Sequence, residues 1–174
     1  MLEKIKSFLA KRGFRWLRDL MLLLVLVYAV EYWQSRHLTK GLLPEFLRTE
    51  SLPTLEAHTR SLWSPDHYTV LYVFAPWCGV CRGSAANLNS LPKDQFHVVS
   101  LALSWREAKE VEEFVQSTGL KTPILMGKER EEAALGIQSY PSYLVIDREG
   151  RIVKAWSGYT TTVGLFFKGY WAQL

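Results

Sequence analysis

Cysteine is nearly absent from the chain. Only Cys78 and Cys81 occur among 174 residues, with no second pair. A structural zinc site needs four ligands and finds too few here. A purely structural disulfide between the two would close a four-residue loop and gain little from it. Histidine is scarce as well: His37, His58, His67 and His97 are the only ones, none beyond residue 97. An excess of charge of one sign is missing from most of the sequence. Lys4, Lys6, Lys11, Arg12, Arg15 and Arg18 face only Glu3 and Asp19 in the first 19 residues, whereas the remaining 155 hold 15 basic and 15 acidic side chains. The formal net charge of +4 therefore belongs to one end, and the rest gives no reason to expect nucleic acid or an acidic partner. Internal repeats and low-complexity tracts are also lacking. With 48% hydrophobic and 22% charged residues the composition excludes a wholly disordered chain, and the length excludes a large multi-domain enzyme.

Long apolar runs are limited to one, Leu20 to Val30. Eleven residues at 1.5 Å cover about 16 Å, short of a hydrocarbon core of roughly 30 Å. The run has the length and basic flank of a signal-peptide core, but Glu31-Tyr32-Trp33-Gln34-Ser35 offers no small-x-small cleavage pattern. The favoured reading is an uncleaved anchor, with Trp16, Tyr28, Tyr32 and Trp33 at the interfaces and Arg18 snorkelling. The domain plan is then a basic cytoplasmic segment over 1–19, a transmembrane signal anchor over 20–33, a tether and approach over 34–64, and a folded domain over 65–174. The excess of basic residues before the run places the N-terminus in the cytoplasm and the domain outside it.

Downstream, strands and helices alternate. Tyr68 to Phe74 and Phe96 to Leu103 read as buried strands, with a helix from about Val80 to Ser90 between them. Ser104-Trp105-Arg106-Glu107 has the spacing of a capping box and predicts a helix carrying Ala108, Val111, Phe114 and Val115 on one face, closed by Gly119. A short strand at 123–126, a helix at 128–135 ending at Gly136, a hairpin of 142–146 with 152–156 around Asp147 to Gly150, and a last helix over 162–172 follow. This order describes an α/β fold with a mixed sheet.

Cys78 and Cys81 fall where the first strand gives way to a helix. A thiolate there meets free backbone N–H groups and the positive end of the helix dipole, which lower its pKa and make Cys78 a nucleophile. Cys81, one turn on, is placed to attack a mixed disulfide on Cys78 and release the reduced partner. Gly79 is read as allowing a tight approach, and Val80 as neutral. A cation at that position would make the disulfide more oxidising, so its absence leans towards a reductant. Tyr140-Pro141, before the strand at 142, is read as a cis-proline loop facing the cysteines, with the Tyr140 backbone offered to a partner's extended segment. The alternative is a copper(I)-binding chaperone using the two thiolates and a histidine without redox turnover.

Together, Phe74-Ala75-Pro76-Trp77-Cys78-Gly79-Val80-Cys81-Arg82, Tyr140-Pro141-Ser142 and the 147–150 hairpin resemble the thioredoxin fold and, within it, the membrane-anchored TlpA/ResA-like thiol:disulfide oxidoreductases. The resemblance covers about residues 42–174. The tail Ser157-Gly158-Tyr159-Thr160 with Trp171-Ala172 is similar to the suppressor-of-copper-sensitivity D subgroup. It implies a periplasmic reductase at the inner membrane, with Cys78 and Cys81 catalytic and Trp77, Gly79, Val80, Tyr140 and Pro141 contacting substrate. It further implies no cofactor beyond the Cys78–Cys81 disulfide and no resident metal. A DsbD-like transmembrane protein would donate electrons, exported proteins with disulfides would be substrates, and a link to copper tolerance follows from the subgroup. Three positions depart from the family pattern: Tyr72 stands where thioredoxins carry a buried Asp, Ser84 where relatives often carry Glu, and Tyr140 where a modest side chain is common. No acidic proton acceptor for Cys81 is visible, leaving water or a hydroxyl.

Overall fold

The computed structural model describes residues 2–172, and side chains from Trp16 onward except Glu31, Gln34 and Ser35. The chain forms two units, divided between Trp33 and Gln34.

The first unit is a single helix, α1 (Leu2–Ser35). Every side chain of the run Leu20 to Val30 is exposed in it, and Arg18 pairs with Asp19 at 2.8 Å. The basic side chains before Trp16 lie outside the described residues. No helix among the described residues is long and apolar enough to cross a membrane, which departs from the transmembrane reading of 20–33. The cause lies in the flanks: the apolar run is eleven residues, and widening it to a span of about 20 takes in Arg18, Asp19 and Glu31.

The second unit is built on a six-stranded sheet. Its strands are β1 (Gly41–Leu42), β4 (Tyr68–Phe74), β5 (Phe96–Ala102), β6 (Ile124–Met126), β7 (Ser142–Ile146) and β8 (Arg151–Ser157), in the spatial order β1-β8-β7-β4-β5-β6. β4, β5 and β6 run parallel, while β7 and β8 pair antiparallel, so the sheet is mixed. β4 is central and its alternation sorts the core. Val70, Tyr72 and Phe74 face one side with Val111, Phe114 and Leu165, and Leu71 and Val73 face the other with Leu38, Leu43, Leu47, Leu62 and Leu135. Helices cover both faces. The first side carries α3 (Gly79–Ser84), a 3₁₀ turn (Ala85–Ser90), α4 (Ala108–Thr118) and α6 (Thr162–Tyr170). The second side receives α2 (Glu45–Thr49) and α5 (Glu129–Leu135) through Leu47 and Leu135. The hairpin of β2 (Ser51–Pro53) and β3 (Thr59–Ser61) bridges to the β6 edge between Thr54 and Leu125.

Several local expectations are corrected. Residues 34–64, read as a tether and domain entry, place Leu38, Leu43, Leu47, Leu52 and Leu62 in the second core face. The helix expected over 80–90 is short and tightens into the 3₁₀ turn at Ala85. No capping box forms at Ser104. Helix α4 starts at Ala108 with Glu107 as an N-cap lacking a side-chain bond, and Ser104 adopts a φ of 53°. The expected glycine stops hold: Gly119 and Gly136 end α4 and α5 with φ of 65°, where a Cβ would be strained.

Candidate active site

Strand β4 delivers the cysteines. Its last residue, Phe74, is followed by Ala75, Pro76 and Trp77, and Cys78 then caps α3 with extended backbone (φ −78°, ψ 110°). The Cys78 Sγ accepts the backbone N–H of Cys81 at 3.1 Å. That contact is the helix N-terminus acting on sulfur, and it favours a thiolate there whenever the pair is reduced. In the structure Cys78 and Cys81 are joined by a disulfide, with Cα atoms 5.3 Å apart. Cys78 keeps 6% of its surface exposed and Cys81 none, so an incoming partner meets Cys78 first.

The surroundings of Cys81 are hydroxyls. The Tyr72 hydroxyl donates to the Cys81 carbonyl at 3.0 Å, and the Ser84 hydroxyl contacts the same oxygen at 3.3 Å. Burial pushes the Tyr72 phenol well above its ordinary value, so it stays a donor. Tyr143, pushed up to about 12 chiefly by burial, has a hydroxyl without a well-formed hydrogen bond. The two departures at Tyr72 and Ser84 therefore meet at one backbone carbonyl beside the second cysteine.

The two halves of the site touch. Trp77, 66% exposed, meets the Tyr140 ring edge-on at 5.7 Å between centroids and an angle of 89°. The Tyr140–Pro141 peptide is cis, and the Pro141 carbonyl accepts the Gly158 N–H at 2.8 Å. Each aromatic is pinned from behind. Trp77 Nε1 donates to the Ser104 carbonyl at 3.1 Å, and the Tyr140 hydroxyl donates to Glu132 Oε1 at 2.5 Å. Burial first, then the Glu132 carboxylate, raises the Tyr140 phenol and keeps it protonated. Val80 is half exposed. Gly79 has a different role from the one read in sequence. Its φ is not left-handed and an added Cβ would meet nothing within 4 Å, so the residue leaves open space next to Cys78 instead of permitting a tight approach.

Arg82 does not reach the sulfurs as a counter-ion. Its guanidinium is committed to Ser117 Oγ (2.9 Å), the Pro76 carbonyl (3.2 Å) and the Phe114 ring face. Ser104 and Glu132, which no motif marks as site residues, join the site through Trp77, 27 residues earlier, and Tyr140, eight residues later. No group of three or more His, Cys, Asp or Glu side chains among the described residues is arranged to hold a metal ion, so the copper reading gains no third ligand of these types.

Residues 43–164 match the Redoxin family. A "Thioredoxin-like protein" of Haemophilus influenzae is 27% identical over 136 residues, covering 77% of this chain and 81% of that protein. "Thioredoxin-like protein YneN" of Bacillus subtilis is 32% identical over 108 residues, covering 59% and 64%. Among solved structures, a putative thiol:disulfide interchange protein DsbE from Chlorobium tepidum superposes with a TM-score of 0.64 at 21% identity, covering 78% of this chain and 98% of that one.

Proposed function

The chain belongs to the Redoxin family as a thioredoxin-like thiol:disulfide oxidoreductase, and from that premise we propose that it works in the reducing direction on exported proteins. The observation that carries the direction is the sparse stabilisation of the Cys78 sulfur. It receives one backbone N–H, the two residues between the cysteines are Gly79 and Val80, and the nearest guanidinium in sequence is engaged elsewhere. A thiolate held only by a helix N-terminus is a better electron donor than one surrounded by cations, because oxidation then forfeits less.

In this reading the Cys78 thiolate attacks a partner disulfide, and one partner sulfur leaves as a thiolate. The Cys81 thiolate then attacks Cys78 Sγ, expelling the second partner sulfur. Two electrons pass to the partner and the Cys78–Cys81 disulfide remains, to be reduced by a dithiol on a DsbD-like membrane protein. Trp77, Val80, Tyr140 and Pro141 line the partner's path, and Gly79 leaves it clear. The reduction potential of the Cys78–Cys81 couple tests the direction. A value below about −200 mV is expected, and one near −120 mV, that of a strong oxidant, overturns the assignment.

The proposal places the domain in the periplasm, with the exposed apolar run of α1 as its contact with the inner membrane. Support comes from the wholly exposed apolar run 20–30 and the six basic residues before Asp19. An alkaline wash of membranes should leave the protein in the pellet, and protease added to spheroplasts should digest the domain. A protected domain would reverse the orientation. The finer placement is the TlpA/ResA-like group, which the segments 74–82, 140–142 and 147–150 support, and within it the suppressor-of-copper-sensitivity D subgroup, which the tail over 157–172 supports.

A further inference from the structure

Helix α6 turns an apolar face to solvent. Leu165 and Gly169 are buried and hold the helix to the core, with Gly169 close to the Phe96 ring. The exposed side chains over 163–171 are Val163, Phe166, Phe167, Tyr170 and Trp171, and every one of them is apolar or aromatic. Their spacing of three and four sets them in one stripe along the helix. Phe166 stacks on Tyr170 with centroids 5.8 Å apart, and the four aromatics line a hollow of about 300 Å³. A helix on a globular domain buries such a stripe, so one turned outward marks a contact surface.

Area, polarity and charge decide what covers it. The four aromatics are 43–69% exposed, which at about 150–250 Å² per side chain leaves roughly 450 Å² of surface. A stable pair of copies needs about 800 Å² from each partner, so a dimer through this face falls short. Tyr170 and Trp171 carry a hydroxyl and an indole N–H that form no hydrogen bond among the described residues. A dry apolar partner would bury these groups unsatisfied, whereas a lipid headgroup layer satisfies them while the rings enter the acyl boundary. The charges of 20–174 cancel overall, yet residues 150–174 hold Arg151, Lys154 and Lys168 with no Asp or Glu. The 3₁₀ turn packed on α6 adds no carboxylate. Lys168 lies over the Trp156 ring at 4.9 Å, and Lys154 alternates with Trp156 onto the same side of the sheet. Cations without acidic neighbours beside an aromatic stripe complement an anionic lipid surface.

We propose that the outer face of α6 is a membrane-surface contact. Phe166, Phe167, Tyr170 and Trp171 sit at the headgroup level of an anionic bilayer, and Lys154 and Lys168 supply the attraction to its phosphates. The contact belongs to the folded domain and is separate from the one proposed for α1, so either can fail alone.

Tryptophan quenching tests this on the full-length protein in nanodiscs of phosphatidylcholine and phosphatidylglycerol with brominated acyl chains. Bromine quenches an indole only at short range, and the Trp171 signal is the parent's emission minus that of Trp171→Phe. That signal should fall by about half or more relative to unbrominated discs, and by less in phosphatidylcholine alone. In a Phe167→Ser background it should regain most of its intensity, with disulfide reduction and the unfolding midpoint unchanged. Trp33, read in the same way through Trp33→Phe, reports α1. Quenching of Trp171 without Trp33 upholds the α6 contact and removes the one at α1. Equal Trp171 emission in brominated and unbrominated discs overturns the proposal, whatever Trp33 does. Dimers that Phe167→Ser disperses would assign the face to a second copy and overturn it as well.

Discussion

A Cys78→Ser protein is expected to lose disulfide reduction by at least about 10³-fold, as removal of an attacking nucleophile does when nothing else can take its place. The geometry gives Cys78 that role alone. Of the two cysteines it is the one with exposed surface, and its sulfur accepts the Cys81 N–H at the helix start. A serine there would remain an alcohol at neutral pH. Cys81→Ser should behave differently. Attack still occurs, but no thiolate expels the partner, so a covalent adduct on Cys78 accumulates and is visible by intact mass under non-reducing conditions. Reduction of insulin by the parent and both variants, each checked for an unchanged unfolding midpoint, makes the comparison. Retained turnover in Cys78→Ser would remove dithiol chemistry from the account. An absence of adduct in Cys81→Ser would remove the resolving role of Cys81.

The elements that deliver Cys78 were readable residue by residue, because their signals are local. Tyr68 to Phe74 and Ser142 to Ile146 are continuous apolar, β-branched or aromatic runs between turn residues, and both strands have the expected bounds. The glycine stops at 119 and 136 are likewise local, since each needs only a residue tolerant of positive φ. What escaped the reading depends on contacts between distant segments. Ser104 has the spacing of a helix cap, but the Trp77 indole, 27 residues earlier, donates to its carbonyl, and the helix begins at Ala108. The leucines of 34–64 lack a continuous pattern, because they fill gaps on a sheet face made by other strands. Glu132 is one of several glutamates on an exposed-looking helix, and only the Tyr140 hydroxyl eight residues on distinguishes it. Gly79 shows the converse error, in which a familiar residue type was given a steric reason that its surroundings do not require.

Phe114→Ala should cost the domain about 3–5 kcal/mol, a large part of the 5–15 kcal/mol that holds a domain folded. Phe114 is fully buried, stacks on Phe74 with centroids 4.4 Å apart, and carries the Arg82 guanidinium over its other neighbourhood at 5.5 Å. Truncation leaves a void between the end of β4 and α4, where close-packed neighbours relax only in part. Urea titration should show the midpoint fall at constant slope, the sign of lost stability without a change in the surface exposed. The redox site should feel the same change. Arg82 ties α4, through Ser117, to the Pro76 carbonyl next to Trp77, so loosening its floor frees the segment that presents Cys78. Phe114→Leu refills most of the volume and should recover most of the stability, but it offers no ring face to Arg82. A reductase rate that recovers with stability would make Phe114 a packing residue only. A rate that stays low in Phe114→Leu would show that the aromatic face itself sets the position of the Trp77–Cys78 segment.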